Sequence, residues 1–433
     1  MNRLILRLAT PNIITNITVP LLSMVDLSLM GHLESSDYIG AVALGGIIFN
    51  FIYGIFSFLR MGTTGFTAQS YGRNDRQEIN LILNRSVWVA VAVGIIIITL
   101  QKPIALLSFY LVGGSAEVER LATEYFYIRI FAAPATLGLM SLYGWFLGRQ
   151  NATVPMAIAI MINVLNIIFN LFLVKGLGMK SDGVALGTLM AQYCGFIAGL
   201  ALILKEKGWK VFKQDLNKVF DLAAMKKFFI VNRDIMVRTV CLIFTFSFFT
   251  AQSAKISDDI LAVNTILLQY FMLFSYLIDG FAFAAESLVG KYYGAGDVTR
   301  LKQLVQRLFL WGLMISIPFT LVYLFAGDML LYILTDNEII IEKTSPYMFW
   351  MAMIPLITFA AFIWDGIYIG ATASVSMRNV MLISTILVFL PSYYLLSGIM
   401  GNNGLWLALL LFMTVRGLLM TLFSNKAVYK PIM

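Results

Sequence analysis

Asp26 stands in the apolar run LLSMVDLSLMGHL and is the one carboxylate of the first long hydrophobic segment. An ionisable group inside such a segment is costly and normally faces a cavity or a partner, so it marks a candidate site. Desolvation favours the protonated carboxyl, which suits the residue to taking up and releasing a proton. Pro11 and Pro20 lie upstream, where a kink would couple protonation to helix bending. The competing role is a structural Asp hydrogen-bonded to neighbouring helices. The fifth hydrophobic run, MINVLNIIFNLFLV, carries Asn163, Asn166 and Asn170 at i, i+3 and i+7, on one helical face. These amides either line a polar cavity shared with Asp26 or knit helices together.

The second half supplies further acids. YLIDGFAFAAESLVGKYYG sets Asp279 and Glu286 on one face, and FIWDGIYIG adds Asp365 with Tyr368 one turn later. Together they would form an acidic substrate cavity suited to cations, unless each only satisfies a neighbouring span or interfacial water. Arg60, in FLRMGTTGFTAQ, reads as a structural polar group that braces the fold. Asp234 and Arg238, at i and i+4 in NRDIMVRT, predict an intrahelical ion pair. His32 is the only histidine, which excludes an HExxH zinc site and a histidine-based triad. No GxxxxGK[ST] loop is present to cradle a nucleotide. Neither an enzyme, a metal site nor a cofactor is expected, and an ion gradient must drive any active transport. Cys194 and Cys241 fall within apolar spans and read as small buried residues.

The elements that must position these groups are membrane-length helices. Of 433 residues, 60% are hydrophobic and only 12% charged, and the mean hydropathy is +0.84. The chain reads as an all-α polytopic membrane protein. Twelve transmembrane helices are predicted at 11–31, 39–71, 86–111, 121–148, 152–175, 183–204, 226–252, 259–290, 304–335, 342–370, 375–397 and 402–424. Pro134 recurs as Pro355, Met156 as Met377 and Gly183 as Gly404 at one offset, and Gly72 as Gly294 one residue later. Six crossings return the chain to its starting side, so the two six-helix bundles are parallel repeats.

Residues 1–204 form the expected N-terminal lobe, 205–225 a cytoplasmic connector, and 226–433 the C-terminal lobe. The connector, KEKGWKVFKQDLNKVFDLAAM, interleaves lysines with apolar residues, in the manner of an amphipathic helix on the inner leaflet. Basic residues concentrate on the N-terminal side, which places both termini in the cytoplasm. The net charge of +8 thus reports topology and no nucleic-acid partner. The first apolar segment lacks a small-residue cleavage site, so no cleavable signal peptide is expected.

VDLSLMGHL followed by IGAVALGG, then LRMGTTGFTAQSYG, resembles the multidrug and toxic compound extrusion (MATE) family. NRDIMVRT, AVNTILLQ, LIDGFAFAAESLVGKYYGAGD and WDGIYIGATASVSMRN are similar to its DinF-like branch, at corresponding places along nearly the whole chain. The resemblance implies a V-shaped pair of bundles and cation antiport of amphipathic, often cationic drugs or metabolites. Asp26 would match the first-span acid used for cation coupling, and Asn166 a fifth-span Asn of the same polar network. The chain departs from the pattern at Asn170, where relatives often have Asp. One lost negative charge weakens a Na⁺ site and favours H⁺. Asp279, Glu286 and Asp365 match acids of the branch's second lobe.

The expected partners are a small-molecule substrate, protons and the lipid bilayer, for a monomer in a bacterial or archaeal inner (plasma) membrane. The rival reading is a lipid-linked oligosaccharide flippase of the same broader fold; twelve spans and intramembrane acids argue against it. A membrane-embedded enzyme lacks its catalytic cluster, and a channel would more often line one pore by oligomerisation.

Overall fold

The computed structural model describes residues 1–31 and 37–432, leaving aside the side chains at 19, 21–23, 26–28, 30, 31 and 328. His32 and the Asp26 side chain therefore lie outside the described residues. Among those described there are helices and no strand. The long helices are α1 (Asn2–Gly31), α2 (Asp37–Gly72), α3 (Arg76–Thr99), α4 (Ala116–Gly148), α5 (Thr153–Gly176) and α6 (Ser181–Lys207). They continue as α7 (Leu222–Ile256), α8 (Asp258–Gly294), α9 (Val298–Phe325), α10 (Met348–Gly370), α11 (Ser374–Met400) and α12 (Asn402–Ser424). Eleven helical segments of the described residues, all but α1, are long and apolar enough to cross a membrane. With α1 they match the expected twelve.

Two spans differ from the hydropathy reading. The segment 86–111 divides between α3, which begins at Arg76, and a separate helix Gln101–Val112. Helix α3 starts early because Asp75 caps it, accepting the Glu78 backbone N–H at 3.0 Å. Charges near its start also find partners: Arg85 donates to Glu78 at 2.6 Å and to the Val219 carbonyl at 2.8 Å. The segment 304–335 likewise divides into α9 and a helix Gly327–Leu334.

The chain forms two compact units, residues 14–229 and residues 1–13 with 230–433. Each unit is held together by the same glycine contact. In the first, Gly144 and Gly148 of α4 lie against the Arg60 and Thr64 carbonyls of α2, and a Cβ at Gly148 would reach Thr64 O at 2.8 Å. In the second, Gly366 and Gly370 of α10 lie against the Ala282 and Glu286 carbonyls of α8, and a Cβ at Gly370 would reach Glu286 O at 2.6 Å. These residues recur at the offset that carries Gly72 to Gly294.

The turns follow the same offset. Asn74 and Gly296 take positive φ (58° and 69°), and so do Gln150 and Thr372 (64° and 51°). Asp297 caps α9 as Asp75 caps α3, accepting the Arg300 N–H at 2.9 Å. The repeat thus reaches backbone geometry at places where the residue types differ.

The connector is not one amphipathic helix. Gly208 ends α6 at φ 69°, and only single turns follow, Trp209–Val211 and Leu216–Val219. Asn84 donates to the Val211 carbonyl at 2.8 Å, and Arg85 holds the carbonyls of Lys218 and Val219. These bonds bury Val211 and Val219 and stop the segment from winding into a free helix.

Replacing Gly366 with Ala must push α8 and α10 apart, because the new Cβ would overlap the Ala282 carbonyl. Thermal unfolding of the purified protein should show a loss of about 1–3 kcal/mol. Gly398→Ala, where the added Cβ meets open space, should leave the transition unchanged or slightly raised.

Candidate transport site

In the unit 14–229 the amide stripe of α5 is a hydrogen-bonded chain. Asn170 donates to Asn166 Oδ1 at 2.9 Å, Asn166 donates to Thr188 Oγ1 at 2.9 Å, and Thr188 donates to the Val184 carbonyl at 2.9 Å. Asn166 and Asn170 are 1% exposed, whereas Asn163, one turn earlier, is half-buried. Gly187 of α6 makes room for this chain, since a Cβ there would overlap Asn170 Oδ1. Thr188 was not singled out from the sequence; its position beside Gly187 is the signal that a polar side chain meets α5 there. Asp26 lies on α1 within the same unit. Arg60 is half-buried, and its carbonyl accepts the Thr64 hydroxyl at 2.8 Å.

The second unit brings its charges together from four helices. Asp365 of α10 is 3% exposed and accepts bonds at Oδ2 from both Arg238 of α7 and Arg416 of α12. Asp234, fully buried on α7, accepts from Arg378 Nη1 at 2.9 Å and from Ser374 Oγ at 3.1 Å, both from α11. The intrahelical pair expected from the i, i+4 spacing is thus replaced by two ion clusters that cross between helices. Asp234 and Asp365 are both buried, so shielding does not choose between them; Arg378 and Ser374 of α11 take up Asp234, and Arg238 turns to the acid of α10.

Asp279 is half-buried on α8, within electrostatic reach of Arg416. Glu286, on the same face, is 1% exposed. Tyr368 is fully buried and donates to the Met420 carbonyl at 2.7 Å. Its ring meets Trp364 edge-on at 5.9 Å. The acids of this unit are therefore accompanied by buried arginines, and Asp365 is already neutralised by two of them.

A further polar cluster had no counterpart in the sequence reading. Asn264 of α8 donates to Ser253 and Asn402, both at 2.7 Å, and accepts from Trp406 Nε1 at 2.8 Å. It ties α7, α8 and α12 together away from the acids. Asn264 and Asn402 lie far apart in the chain, which hides the pairing from local spacing.

Two repeats of six apolar helices, each carrying a buried polar cluster, define a multi-pass membrane transporter of the two-repeat class. The chain belongs to the MATE family: the family model MatE matches residues 11–172 and 235–395. It is 36% identical over 416 residues to DNA damage-inducible protein F of Escherichia coli (strain K12), covering 95% of this chain and 89% of that protein. A probable multidrug resistance protein NorM of Pseudomonas putida is 24% identical over 427 residues, covering 94% of this chain and 90% of that protein. A crystal structure of MATE in the bent conformation has the same fold, with a TM-score of 0.88 at 18% identity, covering all of this chain and 96% of that one. The protein is accordingly a multi-pass efflux transporter.

Removing the carboxylate from the triad tests its structural weight. Asp365→Asn strips both Arg238 and Arg416 of this counter-charge and should cost about 3–5 kcal/mol of stability. Asp365→Leu combined with Arg238→Met and Arg416→Met should recover most of that loss in the same unfolding measurement.

Proposed function

We propose that the protein exports amphipathic, often cationic small molecules across the inner membrane in exchange for protons, without a catalytic step of its own. The observation that carries this reading is the buried amide chain Asn166–Asn170, in the same compact unit as Asp26. An acid near such donors can be held charged by hydrogen bonds and discharged by a proton, which is the elementary step of coupling. Asn163, half-buried one turn earlier, extends the stripe along the same face. An amide at position 170, in place of a carboxylate, leaves the N-terminal lobe one negative charge short of a good Na⁺ cage, because Na⁺ needs charge compensation as well as oxygen ligands.

Residues 1–204 and 226–433 act in this reading as the two lobes, joined by the connector 205–225, with both termini in the cytoplasm and the monomer as the working unit. Substrate meets the half-buried Asp279 in the C-terminal lobe, and Glu286 and Tyr368, buried in this conformation, join it only when the helices part. Asp365 contributes charge there only when its arginines turn aside, so Asp279 carries the first attraction for cations. Arg60 braces the fold.

Reconstituted in liposomes, the wild type should drive efflux of a fluorescent organic cation under a pH gradient and not under a Na⁺ gradient. Asp26→Asn should abolish that efflux while the protein stays folded; efflux driven only by Na⁺ would overturn the proton assignment. Transport under neither gradient would favour a lipid-linked substrate. Asn170→Asp should strengthen Na⁺ dependence in the same assay, and an unaltered ion preference would remove the role given to this amide.

A further inference from the structure

At the shared end of α3, α4 and α6, three cations surround one cavity. Arg76, Arg149 and Lys207, with Ile79 and Asn80, line a space of about 340 Å³. Glu206 takes both ends of the Arg149 guanidinium and lies 3.3 Å from Lys207, while Arg76 and Lys207 are both exposed at the rim. Arg149 is held in place from behind: it stacks on the Trp145 ring at 4.2 Å, and the Trp145 indole donates to the Ile79 carbonyl at 2.9 Å.

One turn further along α3 and α6 the character changes. Asn84 follows Asn80, Leu204 precedes Lys207, and from there an apolar groove of about 480 Å³ runs along both helices. Trp88, Val91, Phe196, Leu200, Trp209 and Phe212 form its walls. Trp88 and Trp209 remain 53% and 69% exposed at its edge, as indole rings do where headgroups meet acyl chains.

We propose that this pair of spaces is a binding site for one anionic phospholipid. Its phosphodiester sits among Arg76, Arg149 and Lys207, and an acyl chain fills the groove between α3 and α6. The order of features is that of the lipid itself: a pocket lined by three cations at the helix ends, then an apolar slot along the helices. Arg76 can meet the phosphate through paired N–H donors, Arg149 adds charge while its own fork holds Glu206, and juxtamembrane cations draw anionic headgroups to the surface. The groove is roofed by Trp209 and Phe212 of the connector, and the Asn84–Val211 bond closes that roof at 2.8 Å. Bound lipid would therefore clamp the connector to α3 and α6.

The test uses the full-length protein purified in detergent, with native mass spectrometry and thermal unfolding as readouts. Added phosphatidylglycerol should be retained and should raise the unfolding temperature, while phosphatidylcholine of the same chain length should do so far less. Arg76→Gln with Lys207→Gln, at two exposed positions, should weaken phosphatidylglycerol binding by about fivefold for each charge removed. Val91→Trp, which fills the groove and keeps all three cations, should also weaken it. Glycerophosphoglycerol, the headgroup phosphodiester without chains, should not bind at the same concentrations. Equal retention of the two lipids, or affinity unmoved by the charge variants, would overturn the proposal. Binding of glycerophosphoglycerol as tight as that of the lipid would overturn it too, in favour of a free-anion site.

Discussion

Hydrocarbon offers no hydrogen-bonding partners, so every polar group that the chain carries into the membrane must be satisfied by the protein itself. The backbone meets this demand by winding into helices, and the side chains meet it by converging. Asp365 between Arg238 and Arg416, Asp234 against Arg378, and the chain from Asn170 through Asn166 to Thr188 are solutions to that one constraint. Each draws its partners from different helices. The polar clusters therefore also fix which helices are neighbours, and the packing of each unit forms around them.

Close packing does the rest. Lipid tails are as apolar as leucine, so burial of apolar surface gives helices little reason to associate. Dispersion and backbone contact at small residues take over that role. Gly144 and Gly148 against α2, and Gly366 and Gly370 against α8, bring backbones to a distance that any side chain would forbid. The duplication kept this geometry while the chemistry diverged. Thr64 stands where the other unit has Glu286, so one unit buries a hydroxyl at the place where the other buries an acid.

The connector shows how a charged segment can be structural without being helical. Its lysines and apolar residues alternate as they would on an amphipathic helix, yet its backbone carbonyls are claimed by Asn84 and Arg85. Arg85 is nearly buried and answers three oxygens at once. A guanidinium with that many partners outweighs the weak helical tendency of a short segment interrupted by Gly208.

The sequence by itself determined the membrane class, the twelve helices, the duplication and the family, because hydropathy, segment length and long motifs are local properties that survive without coordinates. It also marked the amide face of α5, since i, i+3 and i+7 spacing places residues on one side of any helix. Which side chains meet was decided only by the tertiary structure. Asp234 and Arg238 share a helix turn in the sequence but serve different clusters, and Arg416, unassigned from sequence, reaches Asp365 across helices. Asn264 finds Asn402 in the same way. Helix limits also moved where charges at the membrane edge found partners, as Arg85 did with the connector. The physical reason is the same throughout: a buried charge chooses its partner by distance in space and by exclusion of water, and neither is encoded in spacing along the chain.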